Sequence, residues 1–132
     1  MGRPLKTLRQ STAVFDTNIV IDLFNGVDQA RMEIESYRVR AISIVTWIEV
    51  MAGVKGPEAD AAREALDDFM VIALTQEIAE RAASERRTRR LKLPDTIILA
   101  TAIVAGGVLV TRNTRDFQEE PSVIRIPYQL GI

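Results

Sequence analysis

Five residues carry the chemistry this chain can do. Asp16 closes the apolar run Ala13-Val14-Phe15, Glu49 ends the stretch Thr46-x-x-Glu49, and Asp95 follows Pro94. Asn113 and Asp116 come just after Val108-Leu109-Val110. All five offer hard oxygen donors. Carboxylates gathered at one place repel, and each raises its neighbours' pKa unless a cation sits among them. An oxygen-only set suits Mg²⁺, which takes a few carboxylates and keeps several waters. Such an ion activates a water and neutralises charge on a phosphodiester during in-line attack. Two ions about 3.5–4 Å apart would divide those tasks; the residues do not count the ions.

What the sequence lacks narrows the chemistry further. It has 132 residues, with no cysteine and no histidine. That excludes disulfides, thiol nucleophiles and thiolate metal sites, and removes the commonest general base and zinc ligand. Hydrolysis would then rest on carboxylates, hydroxyls, lysines or a hard cation. The net charge of −1 gives no overall attraction to polyanions. No apolar run reaches the roughly 18 residues that span a bilayer. Residues 1–12 carry Arg3, Lys6 and Arg9 with no apolar stretch behind them, unlike a signal peptide. They read as a flexible basic leader before one domain over 13–132, with the cytoplasm as the expected location.

The elements that must position the acids follow from periodicity and punctuation. Ala13–Phe15 reads as a strand, and Asn18 opens a helix that stops near Asn25-Gly26. A polar helix covers Asp28–Tyr37, and Arg40–Ile44 is a second strand. Thr46-x-x-Glu49 has the capping-box pattern, so a helix is expected from Thr46 to near Gly53. Pro57 opens another helix, and Met70–Leu74 is a third strand. Thr75 caps a long helix that runs into Arg86-Arg87-Thr88-Arg89-Arg90-Leu91-Lys92. Leu93-Pro94-Asp95 starts a helix that is apolar all round and ends at Gly106-Gly107. Val108–Val110 and Val123–Ile126 complete the strands. Strands apolar on both sides, alternating with helices, predict an α/β fold: a three-layer α/β/α sandwich on a mainly parallel, five-stranded sheet.

Ligands of such sheets sit outside the carboxyl ends of the strands, where strand order reverses. Asp16, Asn113 and Asp116 directly follow strands, and Glu49 lies in an early helical turn after the second. The helix opened by Asp95 is about twelve residues, or roughly 18 Å, long. Running back against the strand it feeds, it returns Asp95 to the same edge. Singly, each residue has a plainer role: Asp16 a helix cap, Glu49 half a capping box, Asp95 a helix-dipole partner, Asn113 and Asp116 turn formers. Asp22 reads as a solvated helix residue outside the set. Convergence of four segments favours the acidic site.

The cations are unevenly placed. Arg86, Arg87, Arg89, Arg90 and Lys92 crowd the approach to Asp95, and Arg112 and Arg115 flank Asn113. A solvated helix end accounts for part of the run. A basic rim around an acidic centre also suits a polyanion held by its phosphates, and the scarcity of aromatics makes base stacking minor.

Val14-Phe15-Asp16-Thr17-Asn18, Thr46-x-x-Glu49, Pro94-Asp95-x-x-Ile98-x-Ala100-x-Ala102 and Leu109-Val110-Thr111-Arg112-Asn113-x-x-Asp116-Phe117 resemble, in order and spacing, the PIN domain of VapC-type toxins. So does the ending Ile126-Pro127-Tyr128. The resemblance implies a Mg²⁺- or Mn²⁺-dependent endoribonuclease cutting tRNA or ribosomal RNA. It implies a homodimer, and a hetero-oligomer with an inhibitory VapB-like antitoxin. It assigns Asp16, Glu49, Asp95 and Asp116 as catalytic metal ligands, with Thr17, Asn18, Thr111 and Asn113 in support. The charge of the fourth position falls to Asp116 because Asn113 is neutral. Trp47 and Met51 gain a second role beside core packing, lining a groove for an antitoxin segment.

Three rivals stand beside this reading. An aspartyl phosphatase would show Asp-x-Asp after the first strand, where Asn18 takes the second place. A receiver domain needs an aspartate after the third strand, where Leu74-Thr75-Gln76 has none. A binding domain that no longer catalyses would tolerate loss of one acid, and the trio Asp16, Glu49 and Asp95 is intact.

Overall fold

The computed structural model describes residues 8–131. Its centre is β1 (Arg9–Phe15), whose last three residues, Ala13, Val14 and Phe15, are wholly buried. Alternate side chains point to opposite faces of a strand, so each face of β1 feeds a different core. Ala13 and Phe15 pack with α1 (Thr17–Phe24), α2 (Asp28–Glu35), α3 (Ile44–Ala52) and α4 (Gly56–Leu66). Val14 packs with α6 (Leu93–Val104), Leu91 and Phe117. Phe15 meets Tyr37 and Phe69 edge-on, with ring centroids 5.8 and 6.0 Å away, a geometry that adds to area burial.

Around β1 lie β2 (Tyr37–Ser43), β3 (Met70–Ile72), β4 (Val108–Val110) and β5 (Ile124–Arg125). Their order is β3-β2-β1-β4-β5, and every pairing is parallel. The expected layers and strand number are therefore present, and the sheet is parallel throughout. The direction of winding reverses between β1 and β4. α6 is apolar all round because it lies between the sheet and α5 (Gln76–Thr88), whose Ile78 and Ala82 pack on Ala100.

Several boundaries differ from expectation. Arg9–Thr12, assigned to the leader, belong to β1, where Arg9 pairs with Tyr37. Residues 1–7 of that leader lie outside the described residues. Tyr37, expected to end a helix, instead begins β2, where it is 1% exposed. The capping box does not form: α3 starts at Ile44, and Ser43 caps it by accepting from the Val45 N–H at 3.0 Å. The chain passes from β2 into α3 with no intervening loop. Gly107 has a different constraint, since a Cβ there would lie 2.2 Å from the Thr12 carbonyl oxygen. Only glycine lets β4 start so close to β1.

Candidate active site

Asp16 leaves β1 at the reversal and caps α1. It is 4% exposed. Its Oδ1 accepts from the Thr17 N–H at 2.8 Å. Its Oδ2 accepts from Thr111 Oγ1 at 2.7 Å and from Asn18 Nδ2 at 3.2 Å. Thr111 directly follows β4 and is wholly buried, so the two strands flanking the reversal meet through this bond. Burial pushes the Asp16 carboxyl up from its ordinary value; hydrogen bonds from Thr111 and Thr17 oppose it, Glu49's charge adds to it, and Asn18 opposes it.

Glu49 projects from α3 and is exposed. Thr17 Oγ1 donates to its Oε1 at 2.6 Å and lies 3.1 Å from Thr46 Oγ1. With the Thr17 proton on Glu49, the wholly buried Thr46 hydroxyl donates to Thr17. Glu49 and Thr46 thus share a face of α3 and one partner on α1.

Asp95 stands in the first turn of α6, half-buried. Its carboxyl is pushed up to about 6, first by burial and then by the charges of Asp16, Asp116 and Glu49, with Lys92 weakly opposing. Asp116 is fixed by its neighbour: Asn113 Nδ2 donates to Asp116 Oδ2 at 2.9 Å, and the Asp116 N–H donates to Asn113 Oδ1 at 3.2 Å. Asn113's amide is occupied in aiming Asp116. The four carboxylates lie on segments at the carboxyl edge of the sheet, and the charges of the other three add to the effect of burial on Asp95. Among the described residues no group of three or more is drawn together tightly enough to form a metal cage.

The basic residues divide. Arg112 forms a bidentate pair with Asp22, at 2.7 and 2.9 Å. Arg89 pairs with the buried Glu85 at 2.6 Å and with Glu120 at 3.3 Å. Arg86, Arg87, Arg90, Lys92 and Arg115 are exposed and make no ion pair among the described residues. A cavity of about 390 Å³ lined by Arg89, Arg90, Thr114 and Arg115 opens beside Asp116.

Asp22 corrects the sequence reading. Far from solvated, it is 4% exposed and accepts from the Tyr128 hydroxyl at 2.8 Å as well as from Arg112. One signal pointed to it: Asp22 falls three residues after Ile19, on the apolar stripe of α1. A second pair, the buried Glu33 with the partly exposed Arg125 at 2.7 Å, joins α2 to β5, and Glu33 likewise falls three residues after the buried Ala30.

A three-layer sandwich on a parallel sheet of order β3-β2-β1-β4-β5, with acids at the carboxyl edge, defines a class of small α/β domains. The PIN domain family model matches residues 13–120, and the chain belongs to that family. No curated protein matches it. Among solved structures, a toxin–antitoxin complex from Klebsiella pneumoniae contains a similar chain: 45% identity, TM-score 0.83, covering 90% of this chain and 100% of that one. VapBC2 from Rickettsia felis bound to a promoter DNA fragment matches at 22% identity and TM-score 0.70, covering 86% and 96%. FitAcB from Neisseria gonorrhoeae matches at 19% and 0.72, covering 90% and 100%. The last two share the fold.

Proposed function

We propose that this chain is the toxin of a type II toxin–antitoxin pair: a divalent-metal-dependent endoribonuclease that cuts tRNA or ribosomal RNA. The observation that carries the reading is the placement of Asp16, Glu49, Asp95 and Asp116 at the carboxyl edge of the sheet, where the charges of the other three add to the burial that raises the Asp95 carboxyl. That arrangement is costly without a cation and favourable with one. The donors are oxygens only, which fits Mg²⁺, or Mn²⁺ in its place, with water completing the shell. Asp16, Glu49, Asp95 and Asp116 would hold the ion. When bound, it supplies a lowered pKa for water and charge neutralisation at the phosphodiester.

The chain's own residues do the rest. Thr111, Thr17 and Asn18 fix the Asp16 carboxylate through three hydrogen bonds. Thr17 steers Glu49, and Asn113 steers Asp116. Arg86, Arg87, Arg90, Lys92 and Arg115 form a basic rim suited to RNA phosphates.

The antitoxin partner is supported by the Klebsiella complex, in which the 45% identical chain sits, and by apolar surface on α1, α3 and α4. Ile21, Phe24 and Ile48 are exposed at 43%, 37% and 54%, and a groove of about 500 Å³ is lined by Phe24, Val54, Ala61 and Ala65. Trp47 itself packs on the core beneath Arg63, 5.4 Å from its ring. The active form is a homodimer, and a VapB-like antitoxin inhibits it by holding it in a hetero-oligomer. None of the described helices is long and apolar enough to cross a membrane. Because its RNA substrate and antitoxin are cytoplasmic, the proposed toxin acts in the cytoplasm.

The test is cleavage of a total tRNA pool and of ribosomal RNA by antitoxin-free protein, with Mg²⁺, with Mn²⁺ and with chelator. Wild type should cut only with metal, and Asp16→Asn should not cut. Equal cutting by both, or none by folded wild type, would overturn the reading.

A further inference from the structure

We propose that Arg112 is a positioning residue, clamped by Asp22 and Tyr128 so that the chain near the C-terminus is part of the catalytic edge. This rests on the nuclease reading above. The clamp joins three segments far apart in sequence. Asp22 belongs to α1, Arg112 follows β4, and Tyr128 follows β5. Asp22 takes both teeth of the guanidinium fork, at 2.7 and 2.9 Å, and the Tyr128 hydroxyl donates to the same carboxylate at 2.8 Å. A buried carboxylate that accepts three bonds is satisfied and rigid, and loss of one donor leaves it short of a partner and the clamp looser.

The clamp reaches the acids through the backbone. The Arg112 N–H donates to Asn18 Oδ1 at 3.0 Å, and Asn18 Nδ2 donates to Asp16 Oδ2 and, at 3.3 Å, to Thr111 Oγ1. Thr111 Oγ1 in turn accepts from the Asn113 N–H at 3.0 Å, and Asn113 aims Asp116. Two of the four acids, Asp16 and Asp116, thus depend on where residues 111–113 sit. Arg112 sets that position with a side chain turned away from the acids, toward Asp22. Its charge is already matched, so it contributes little to holding phosphates.

Three variants test the clamp and separate positioning from phosphate binding. Arg112→Lys keeps the charge and loses the planar fork. A positioning role lowers kcat about tenfold or more, leaves KM within about twofold and leaves the salt dependence of tRNA binding unchanged. A phosphate contact instead raises KM at constant kcat, and Arg112→Gln then lowers the salt slope by about 1; that result overturns the proposal. Tyr128→Phe removes one hydroxyl and keeps the ring, so it folds where Asp22→Asn fails to. It should lower kcat about threefold or more and speed hydrogen exchange at the Arg112 amide. The exchange readout needs no catalysis. A wild type that cuts no RNA refutes the nuclease reading, whereas unchanged Arg112 exchange in Tyr128→Phe refutes the clamp.

Discussion

Thr17 Oγ1 lies 2.6 Å from Glu49 Oε1, across the gap between α1 and α3. Glu49 is the one acid of the four on an exposed position, and this bond is its link to the rest of the site. Thr17 also takes the hydroxyl of Thr46, which has no exposure of its own. Thr17→Val keeps the shape and removes both bonds. Leaving Thr46 buried and unpaired should cost about 1–2 kcal/mol, read by urea denaturation. Released from its partner, Glu49 loses orientation, and cleavage should fall about tenfold. Unchanged stability and cleavage would show that Glu49 is held by something else.

Asp95 should make the metal-free fold sensitive to pH near neutrality. Its carboxyl titrates at about 6 in the folded chain, against an ordinary 3.8. The folded state then binds this proton more tightly than the unfolded chain does. That contribution is fully present below the unfolded value and is lost as pH rises through about 6. Thermal midpoints measured in chelator should therefore fall from about pH 4 to a little above pH 6 and level off beyond. Asp95→Asn should flatten that fall and raise metal-free stability at neutral pH by roughly 1–2 kcal/mol, the full shift being reduced by partial exposure. Saturating Mg²⁺ should raise the midpoint of wild type and do little for Asp95→Asn. A metal-free midpoint that rises over this range would contradict the crowding.

The two kinds of arginine near Asp95 should behave differently. Arg90→Gln and Arg115→Gln should each weaken tRNA binding and reduce its salt slope by about 1, with stability nearly unchanged. Arg89→Gln should leave the slope alone and cost about 1–3 kcal/mol, because the buried Glu85 loses a charged partner and keeps only Arg81. Filter binding across a salt series together with denaturation distinguishes the two outcomes. Equal slopes for all three variants would mean that Arg89 reaches the RNA despite its ion pairs.

Gly107→Ala places a methyl group 2.2 Å from the Thr12 carbonyl. The contact is with backbone of the central strand, which has nowhere to go, so a loss of about 3 kcal/mol or more is expected. Gly26→Ala is the contrast: φ is +78° there but nothing lies within 4 Å of the added carbon. Its cost should stay near 1 kcal/mol, from the left-handed backbone alone. Comparable losses at the two sites would mean that β1 yields to the intrusion.

The acids, their order along the chain and the layers that carry them were legible in the sequence because each is a local signal. Apolar runs, periodicities of two and 3.6, and glycine and proline stops report which side of an element is buried. The rule for parallel sheets then sends Asp16, Asp95 and Asp116 to one edge. Local rules also misled where two of them competed. Thr46 and Glu49 matched a capping box, yet Ser43, two residues after Ala41, stops β2 and caps α3 in one residue.

What the tertiary structure alone decided is which group answers which. Asp22 became half of a buried pair because Arg112 arrives 90 residues later, and Tyr128 sixteen residues after that. Glu49 is steered by a threonine 32 residues away, and Arg89 is drawn from the basic rim by Glu120. Periodicity records burial and not the identity of the partner, and a charged side chain can be buried only where its partner lies within hydrogen-bond reach. Such pairs form between segments distant in sequence, so they are settled when the layers close and not before.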